Sequence, residues 1–405
     1  MKSVRKKLDE IAPLFEKGGK FEKLWPVYEL QDTFLFTGDN VTRTGSHVRD
    51  ATDMKRLMVT VVVALLPCMF FACWNTGYEA MLAIAKGALP LDSWRTAVWE
   101  GLGLSYDFKS DFLCILFGAL YWIPIYLTVM IAGGIAELIF AVVRGHEISE
   151  GFLVSGALLP LTLPPTIPLW MVALGIIFGI VMAKEVFGGV GTNFLNPALT
   201  ARAFLFFAYP AAMSGEAPWI AADFSGLDNF TGATLLAQFA VSSGAMEAAS
   251  WWSAFWGSIP GSLGETSTFA CLIGAGILII TGVGSYRTML GVAVGTVCMS
   301  LLLNIAGSST NPMFAVPWYW HMAIGSWAFG TAFMATDPVS SAFTNRGKWI
   351  YGALIGVLVV LIRVVNPAYP EGMMLAILFM NMFAPLIDHF VVEANIRRRA
   401  ARSAI

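Results

Sequence analysis

The chain has 405 residues, of which 57% are hydrophobic and only 13% are charged. This composition excludes a soluble globular domain, because too few polar residues remain to cover its surface. The charges are segregated along the chain, so their formal sum of −2 carries no information about acidic or basic partners. It gives no sign of nucleic-acid binding. The composition predicts an integral membrane protein.

The first 56 residues are the most basic part of the chain. Eleven of the 25 Lys and Arg residues lie there, and the first long apolar stretch begins only at Leu57. A secretory signal would place a short apolar stretch directly after the first basic residues. We therefore predict a cytoplasmic arm over residues 1–56, followed by membrane helices.

Ten apolar segments follow this arm. Seven are long enough to cross ~30 Å of hydrocarbon, and three are short or interrupted by Gly and Pro, which is typical of broken or half helices. The long segments are 57–74, 112–143, 168–183, 268–285, 288–306, 349–365 and 372–392, and the short ones are 151–166, 198–210 and 320–336. The predicted fold is an all-α integral membrane protein with about ten transmembrane helices.

Lys and Arg orient these segments, because they are retained in short cytoplasmic loops. The segment 211–267 contains neither residue and is therefore predicted to be a periplasmic loop. Ten crossings then return the basic tail, 393–405, to the cytoplasmic side on which the arm lies. Lys86, Arg95 and Lys109, in the first external loop, oppose this arrangement.

A recurring pattern predicts an internal duplication. Leu-Thr-Leu-Pro-Pro at 161–165 and Met-Ala-Thr-Asp-Pro at 334–338 each end a short segment, and each is followed by a membrane helix and then by Asn-Pro-Ala. Five elements in each half make two inverted repeats with broken helices, 57–210 and 268–392, and such repeats place binding sites near the membrane midplane. Chance recurrence of Pro and Ala is the alternative.

Three acidic residues lie within or at the ends of membrane segments, where ionisable groups are rare and commonly functional. They are Glu137, Asp337 and Asp388. A carboxylate beside the free carbonyls of a broken helix supplies the oxygen ligands that Na⁺ prefers. The alternative is structural: Asp337 caps a helix and Asp388 lies in the membrane interface. Arg363 is expected to pair with one of these acids or to extend toward the interface.

Two small motifs have open interpretations. Gly133-Gly134 permits close packing of helices. Asn193 and Asn196 follow a Gly-rich stretch, and their amides either bind a neutral heterocycle, since an amide both donates and accepts, or cap the broken helix. The five cysteines lack metal-ligand spacing and are expected to be buried small apolar residues.

The predicted periplasmic loop contains Asp-Asn-Phe-Thr-Gly-Ala-Thr at 228–234. Asn229-Phe-Thr matches an N-glycosylation acceptor, and Asp228 or Thr231 is a candidate N-cap for a helix that begins near Ala233. Neither interpretation accounts for the whole pattern. The stretch resembles the flavin-attachment motif, Asp-x-x-Ser/Thr-Gly-Ala-Thr, of membrane redox pumps.

The resemblance extends over the full length of the chain. The chain resembles the B subunits of Na⁺-translocating NADH:quinone reductases in the stretches GSHVRDATDMKRLM (45–58), GALLPLTLPPTIP (156–168), KEVFGGVGTNFLNPALTARAFLFFAYP (184–210), FMATDPVSSAFTNRGKWIYG (333–352) and NMFAPLIDH (381–389). The arm, with LFEKGGKFEKLWPVYE, also resembles this family. The related D subunits of Rnf complexes share the membrane core and the flavin motif but look shorter at their start.

The resemblance implies sites for two flavins, a quinone and Na⁺, and no catalytic residue. FMN is expected to be joined through its phosphate to a threonine hydroxyl by an external flavin transferase, and riboflavin to be held without a covalent bond. The implied residues are Thr234 for FMN, with Asp228, Thr231, Gly232 and Ala233 as its attachment motif; Asn193 and Asn196 for riboflavin; Gly133, Gly134 and Glu137 for quinone; and Glu137, Asp337 and Asp388 for Na⁺.

The resemblance also implies a function. The chain is expected to be a multi-pass subunit of a complex in the bacterial inner membrane, with both termini cytoplasmic and the A, C, D, E and F subunits as partners. Electrons from NADH would reach it through a partner protein and pass by its flavins to ubiquinone, coupled to Na⁺ export. The alternatives are an Rnf-type electron-transport flavoprotein, or a secondary transporter or channel, which the inverted repeat and the midplane acids alone support.

Overall fold

The computed structural model describes residues 2–16, 18–36, 54–145, 151–189, 191–227, 230–366, 369 and 371–403. Over these residues the chain is mostly α-helical. The helices are α1 (Lys2–Phe15), α2 (Trp25–Leu35), α3 (Met54–Ala85), α4 (Trp94–Gly101), α5 (Asp111–Arg144), α6 (Gly151–Leu161), α7 (Leu169–Ala183), α8 (Pro197–Ala208), α9 (Pro210–Met213), α10 (Leu235–Val241), α11 (Ser243–Ala248), α12 (Trp251–Trp256), α13 (Thr268–Ile280), α14 (Tyr286–Ala306), α15 (Trp318–Ala323), α16 (Trp327–Phe329), α17 (Asn345–Val365) and α18 (Met373–Ser403).

Short elements complete the structure. A π-helical turn, Gly330–Met334, continues α16, and four 3₁₀ turns occupy Glu22–Leu24, Glu185–Phe187, Ala217–Trp219 and Pro312–Ala315. Strands β1 (Leu89–Pro90) and β2 (Ala222–Asp223) pair antiparallel, with Leu89 opposite Asp223. This small sheet joins the loop after α3 to the loop that precedes the Thr-Gly-Ala-Thr motif.

Among the described residues, six helices are long and apolar enough to cross a membrane: α3, α5, α7 with the 3₁₀ turn that extends it to Phe187, α14, α17 and α18. Three shorter apolar helices, α6, α8 and α13, are too short to cross it alone. The prediction that 268–285 is a long crossing segment is therefore wrong, because α13 ends at Ile280. Each of the ten predicted segments overlaps a helix, and 320–336 coincides with α15, α16 and the π turn. The all-α membrane fold is therefore confirmed, while the number of crossings and the duplication stay predictions.

The helices of the two halves pack in similar pairs. The second helix contacts the fourth in each half, α5 with α7 and α14 with α17, and the fourth contacts the fifth, α7 with α8 and α17 with α18. Glycines make one of these contacts very close: a Cβ on Gly295 would lie 2.0 Å from the carbonyl oxygen of Ala353, and one on Gly356 would lie 2.1 Å from that of Val292. Small residues spaced in this way let helix backbones approach in a membrane.

One apolar core joins the two halves. Its buried residues come from α3 and α5 to α8 in the first half and from α13, α14 and α16 to α18 in the second. The loop before α13 also enters this interior, because the Gly264 amide donates to the Leu161 carbonyl at 2.7 Å and the Leu263 amide to the Leu163 carbonyl at 3.1 Å. The carbonyl groups left free after α6 thus accept hydrogen bonds from a segment in the centre of the chain.

Two sequence predictions are wrong in detail. Arg363 neither pairs with a membrane acid nor extends outward: it is fully buried and donates to the carbonyls of His321, Ile324 and Glu371 at 2.6 to 3.0 Å. These carbonyls lie where α15 ends and α18 is about to begin, so one guanidinium satisfies several groups left open by broken helices. Four cysteines are buried as expected, but Cys298 is exposed on α14.

Arg95 explains part of the charge pattern that opposed the predicted orientation. It is buried, and its guanidinium carbon lies 4.7 Å from the ring centre of Tyr121 and 5.3 Å from that of Trp94. Burial lowers the pKa of Arg95 from its ordinary value. An arginine held by aromatic rings contributes to packing, so it is a poor indicator of membrane orientation.

Candidate functional site

The Thr-Gly-Ala-Thr motif forms the start of α10. Thr234 is the N-cap of this helix, and its Oγ1 accepts a hydrogen bond from the Ala237 amide at 3.4 Å. The hydroxyl of Thr231 accepts one from the Ala233 amide at 3.1 Å. The predicted N-cap is therefore wrong, because Thr234 caps the helix and Thr231 stabilises the turn before it. Asp228 lies outside the described residues.

Gly232 has a steric reason to be glycine. A Cβ at this position would lie 2.5 Å from the carbonyl oxygen of Glu216 and 2.7 Å from the Phe224 ring. Both distances are shorter than any real Cβ contact, and the first is to backbone. The close approach fixes the turn between Thr231 and Thr234 against the rest of the loop.

Thr234 lies between two cavities. Cavity A is lined by residues that include Thr234, Ser262, Glu265 and Glu371, and cavity B by residues that include Arg202, Tyr369, Thr234 and Glu371. The threonine is half-buried, whereas Thr231 is exposed. The motif residue that resembles the flavin acceptor is thus the one that faces enclosed space.

A buried ion pair connects the walls of cavities A and B. Arg202 NH1 is 3.1 Å from Glu265 Oε1, and its NH2 donates to the Ser262 hydroxyl at 3.4 Å. Glu371, which lines both cavities, accepts hydrogen bonds from the amide and the hydroxyl of Ser326. None of these residues was predicted from the sequence. An arginine inside a half helix, and a glutamate in a loop free of Lys and Arg, were the signals that could have found them.

The other predicted cofactor residues line a third cavity, C. Asn193, Asn196 and Asp337 all contribute to its wall, together with Lys184 and Thr336. The Asn196 amide donates to Asp337 Oδ2 at 3.4 Å. The Asn-Pro-Ala motif of the first half therefore meets the Met-Ala-Thr-Asp-Pro motif of the second half in the interior of the protein.

Asn196 caps a broken helix, whereas Asp337 stabilises a turn. Asn196 Oδ1 accepts from the amides of Ala198 and Leu199, so it caps α8. Asp337 accepts from the Ser340 hydroxyl at 2.6 Å and the Val339 amide at 3.2 Å. The capping interpretation is therefore correct for Asn196 and wrong for Asp337, because the residues that follow Asp337 form a turn and not a helix. The Asn196 amide and the Asp337 carboxylate both remain at the wall of cavity C.

Glu137 belongs to a buried charge network. Its Oε1 lies 2.6 Å from Lys184 Nζ, and both side chains are at most 5% exposed. Lys184 also lies 3.8 Å from Glu185, which is 3.6 Å from Arg144. The network holds α5 to the end of α7. The pairing with Lys184 was not predicted, because the two residues are far apart in the chain.

The two adjacent glycines of α5 have different surroundings. A Cβ on Gly133 would lie 2.5 Å from the Phe152 ring and 2.9 Å from both Ile176 and Ile180. A Cβ on Gly134 would meet only the Phe152 ring, at 3.7 Å. Close helix packing thus accounts for Gly133, while Gly134 has room for a larger group.

Gly133→Ala is therefore expected to destabilise the protein more than Gly134→Ala. Overpacking of a tight core costs about 1–3 kcal/mol, whereas Gly134→Ala fits into ordinary contact distance. Thermal unfolding of the purified protein measures the difference. Equal midpoints for the two variants would contradict the packing assigned to Gly133.

Asp388 holds the start of α17. Its carboxylate accepts from the amides of Phe343 and Thr344 and from the Thr344 hydroxyl, at 2.5 to 3.0 Å. The three predicted Na⁺ residues are thus in three separate environments. Among the described residues, no group of three or more His, Cys, Asp or Glu is arranged to hold a metal ion.

The comparisons with known proteins agree with the predicted relationship. The sequence model of the NQR2, RnfD, RnfE family matches residues 41–397, which is most of the chain. The chain belongs to this family. The family includes the subunits that the sequence motifs resemble, so the predicted resemblance is confirmed.

Three relatives that are similar over the full length of the chain carry the same name. Proteins of Ectopseudomonas mendocina (strain ymp), Chromohalobacter salexigens and Pseudomonas aeruginosa (strain LESB58) are 56%, 54% and 54% identical to this chain, and each alignment covers 99% of it and 97–99% of the relative. Each is named as the B subunit of a Na(+)-translocating NADH-quinone reductase. These alignments take in the basic arm, most of which precedes the family match at residue 41.

Proposed function

We propose that this chain is the membrane-embedded B subunit of a Na⁺-translocating NADH:ubiquinone reductase. The observation that carries this proposal is the 54–56% identity, over 99% of the chain, to proteins of that name. In this function the chain carries FMN on Thr234 and riboflavin in its interior, and passes electrons to ubiquinone while Na⁺ is exported. The A, C, D, E and F subunits of such a complex are its partners in the bacterial inner membrane.

The surroundings of Thr234 fit a covalent FMN. A flavin joined there through its phosphate has two cavities beside it. Attachment prevents loss of a soluble cofactor, and the bound ring supplies reversible electron transfer. The flavin transferase needs access to Thr231 and Thr234, and the exposure of Thr231 agrees with this requirement.

Cavity C fits the second flavin, riboflavin. Its wall carries amides from Asn193 and Asn196, which donate to and accept from a neutral heterocycle without a buried charge in the ligand. Riboflavin lacks the phosphate of FMN and therefore costs less to bury in a membrane protein. The quinone is assigned to the region of Gly133, Gly134 and Glu137, where Gly134 leaves space.

Na⁺ is assigned to Glu137, Asp337 and Asp388. Of these, Asp337 has the strongest structural support, because its carboxylate lies at the wall of a cavity where broken helices end. Glu137 is paired with Lys184, and the Asp388 carboxylate accepts hydrogen bonds from the start of α17. The structure therefore favours a direct role in ion binding for Asp337 over the other two.

In Asp337→Ala, the Na⁺ concentration for half-maximal turnover of the complex is expected to rise at least tenfold, because a charged oxygen ligand is removed. Asp223→Ala, which removes an exposed carboxylate of β2, is the control and should keep the original Na⁺ dependence. Asp388→Ala in the same assay separates ion binding from capping. If Asp337→Ala leaves the Na⁺ dependence unchanged, the carboxylate only stabilises the turn to Ser340.

The proposed function is tested by the assembled complex. Purified from a cell that expresses all six subunits, it should reduce ubiquinone with NADH, and Na⁺ should accelerate this reaction. A complex that accepts electrons from ferredoxin and does not reduce quinone would instead assign the chain to the RnfD branch of the family.

A further inference from the structure

The buried ion pair beside Thr234 has no role in the proposed function as stated above. Glu265 lines cavity A and Arg202 lines cavity B, while Thr234 lines both. Both members of the pair are only 4% exposed. A group attached at Thr234 that enters either cavity therefore meets one end of this pair.

The pair has hydrogen-bonding capacity that the protein does not use. Glu265 Oε2 has no hydrogen-bond partner among the described residues, although it is buried. Arg202 makes two side-chain hydrogen bonds, to Glu265 and Ser262, whereas a guanidinium has five N–H donors. A charged acceptor left without a donor in the interior is costly, so its presence at a cavity wall indicates a ligand that donates to it.

The pyrimidine edge of a flavin ring has the matching pattern. It presents a carbonyl, an N–H and a second carbonyl in a row, so a carboxylate oxygen next to guanidinium donors is complementary to it. Reduction adds negative charge to this part of the ring, which an arginine stabilises and a glutamate opposes. Charged groups at this edge therefore set the reduction potential.

We propose that Arg202 and Glu265 together bind the pyrimidine edge of the flavin carried by Thr234 and tune its reduction potential in opposite directions. This inference rests on the proposed function, since it requires a flavin on Thr234. Arg202 and Glu265 are separated from that residue in sequence by about thirty positions on either side, and the fold brings all three to the same two cavities.

Optical redox titration of the purified complex tests this inference. The spectral component that is present in the wild type and absent from Thr234→Val belongs to the flavin on this chain. Arg202→Gln is expected to lower the equilibrium constant for one-electron reduction of that component at least tenfold, a shift of about 59 mV to more negative potential. Glu265→Gln is expected to shift it to more positive potential, because it removes the opposing charge.

An exposed ion pair of the same residue types provides the control. Arg397 and Glu393 form such a pair on α18, with 77% and 41% exposed side chains, and their Gln variants should leave the potential unchanged. A structural role alone would move both interior variants in the same direction. Shifts of the same sign, or no shift beyond that of the control variants, would overturn the inference.

Two further observations distinguish failure of this inference from failure of a variant to assemble and from failure of the proposed function. If Arg202→Gln does not assemble, Glu265→Gln decides alone, since Gln has the size of Glu: a raised potential supports the inference and an unchanged or lowered one overturns it. Failure of the proposed function looks different, because the wild-type chain would then show no covalent flavin on a denaturing gel.

Discussion

In the Thr234→Val variant, the flavin fluorescence of this chain on a denaturing gel is expected to disappear. Valine has nearly the shape of threonine but no hydroxyl, so no phosphoester can form. Denaturation removes any flavin that is held without a covalent bond. The measurement compares ultraviolet fluorescence with protein stain in the same band, and it requires the chain to be expressed together with a flavin transferase.

Two control variants separate attachment from local folding. Thr234→Ser keeps the hydroxyl and the cap of α10, so it should retain fluorescence. Thr310→Val makes the same substitution at an exposed threonine outside the motif and should retain the fluorescence in full. Loss of the cap itself costs about 0.5–2 kcal/mol, which is too little to remove the band from the protein stain. A fluorescent Thr234→Val band would contradict the assignment.

The second large effect is expected at the buried pair of Glu137 and Lys184. Glu137→Gln removes the 2.6 Å partner of the Lys184 ammonium and leaves it the more distant Glu185, at 3.8 Å. Removal of one member of a buried pair typically costs about 3–5 kcal/mol. The thermal midpoint of the purified complex is therefore expected to fall by several degrees, and the yield of assembled complex to fall with it.

A double variant distinguishes the structural role of Glu137 from a functional one. Replacement of both partners, as Glu137→Leu with Lys184→Met, removes both charges of the pair, and such replacements are often neutral or stabilising. Glu185 keeps Arg144 as its partner. Recovered stability is the expected result. If Glu137 also binds the quinone or Na⁺, the turnover of the double variant stays low although its stability is recovered. A double variant that is as unstable as Glu137→Gln would contradict the ion-pair account.

The helices could be predicted from hydropathy, but not all of their ends. The first apolar segment was predicted to end at residue 74, whereas α3 continues to Ala85. Asn75 and Glu79 interrupt the apolar run, yet both are buried, and the Asn75 amide donates to the Ile259 carbonyl at 3.1 Å. A polar residue that bonds to a distant loop looks, in sequence, like the end of a membrane helix.

The residues of the candidate sites were easier to predict than their partners. Broken-helix motifs identified Asn196 and Asp337 separately, and the fold brings them within hydrogen-bond distance across 141 positions. The pairing of Arg202 with Glu265 could not be predicted, because the two lie on different elements and no periodicity relates them. Local patterns indicate which polar groups need a partner, and only the packing of the two halves supplies it.

Attachment of FMN to Thr234 is central to the proposed function, and mass spectrometry of the purified chain tests it most directly. We predict that the proteolytic peptide containing residues 230–241 carries the mass of FMN less one water, and that fragmentation places the added mass on Thr234. An unmodified peptide from a chain expressed with a flavin transferase, or an added mass on Thr231, would contradict the proposed attachment.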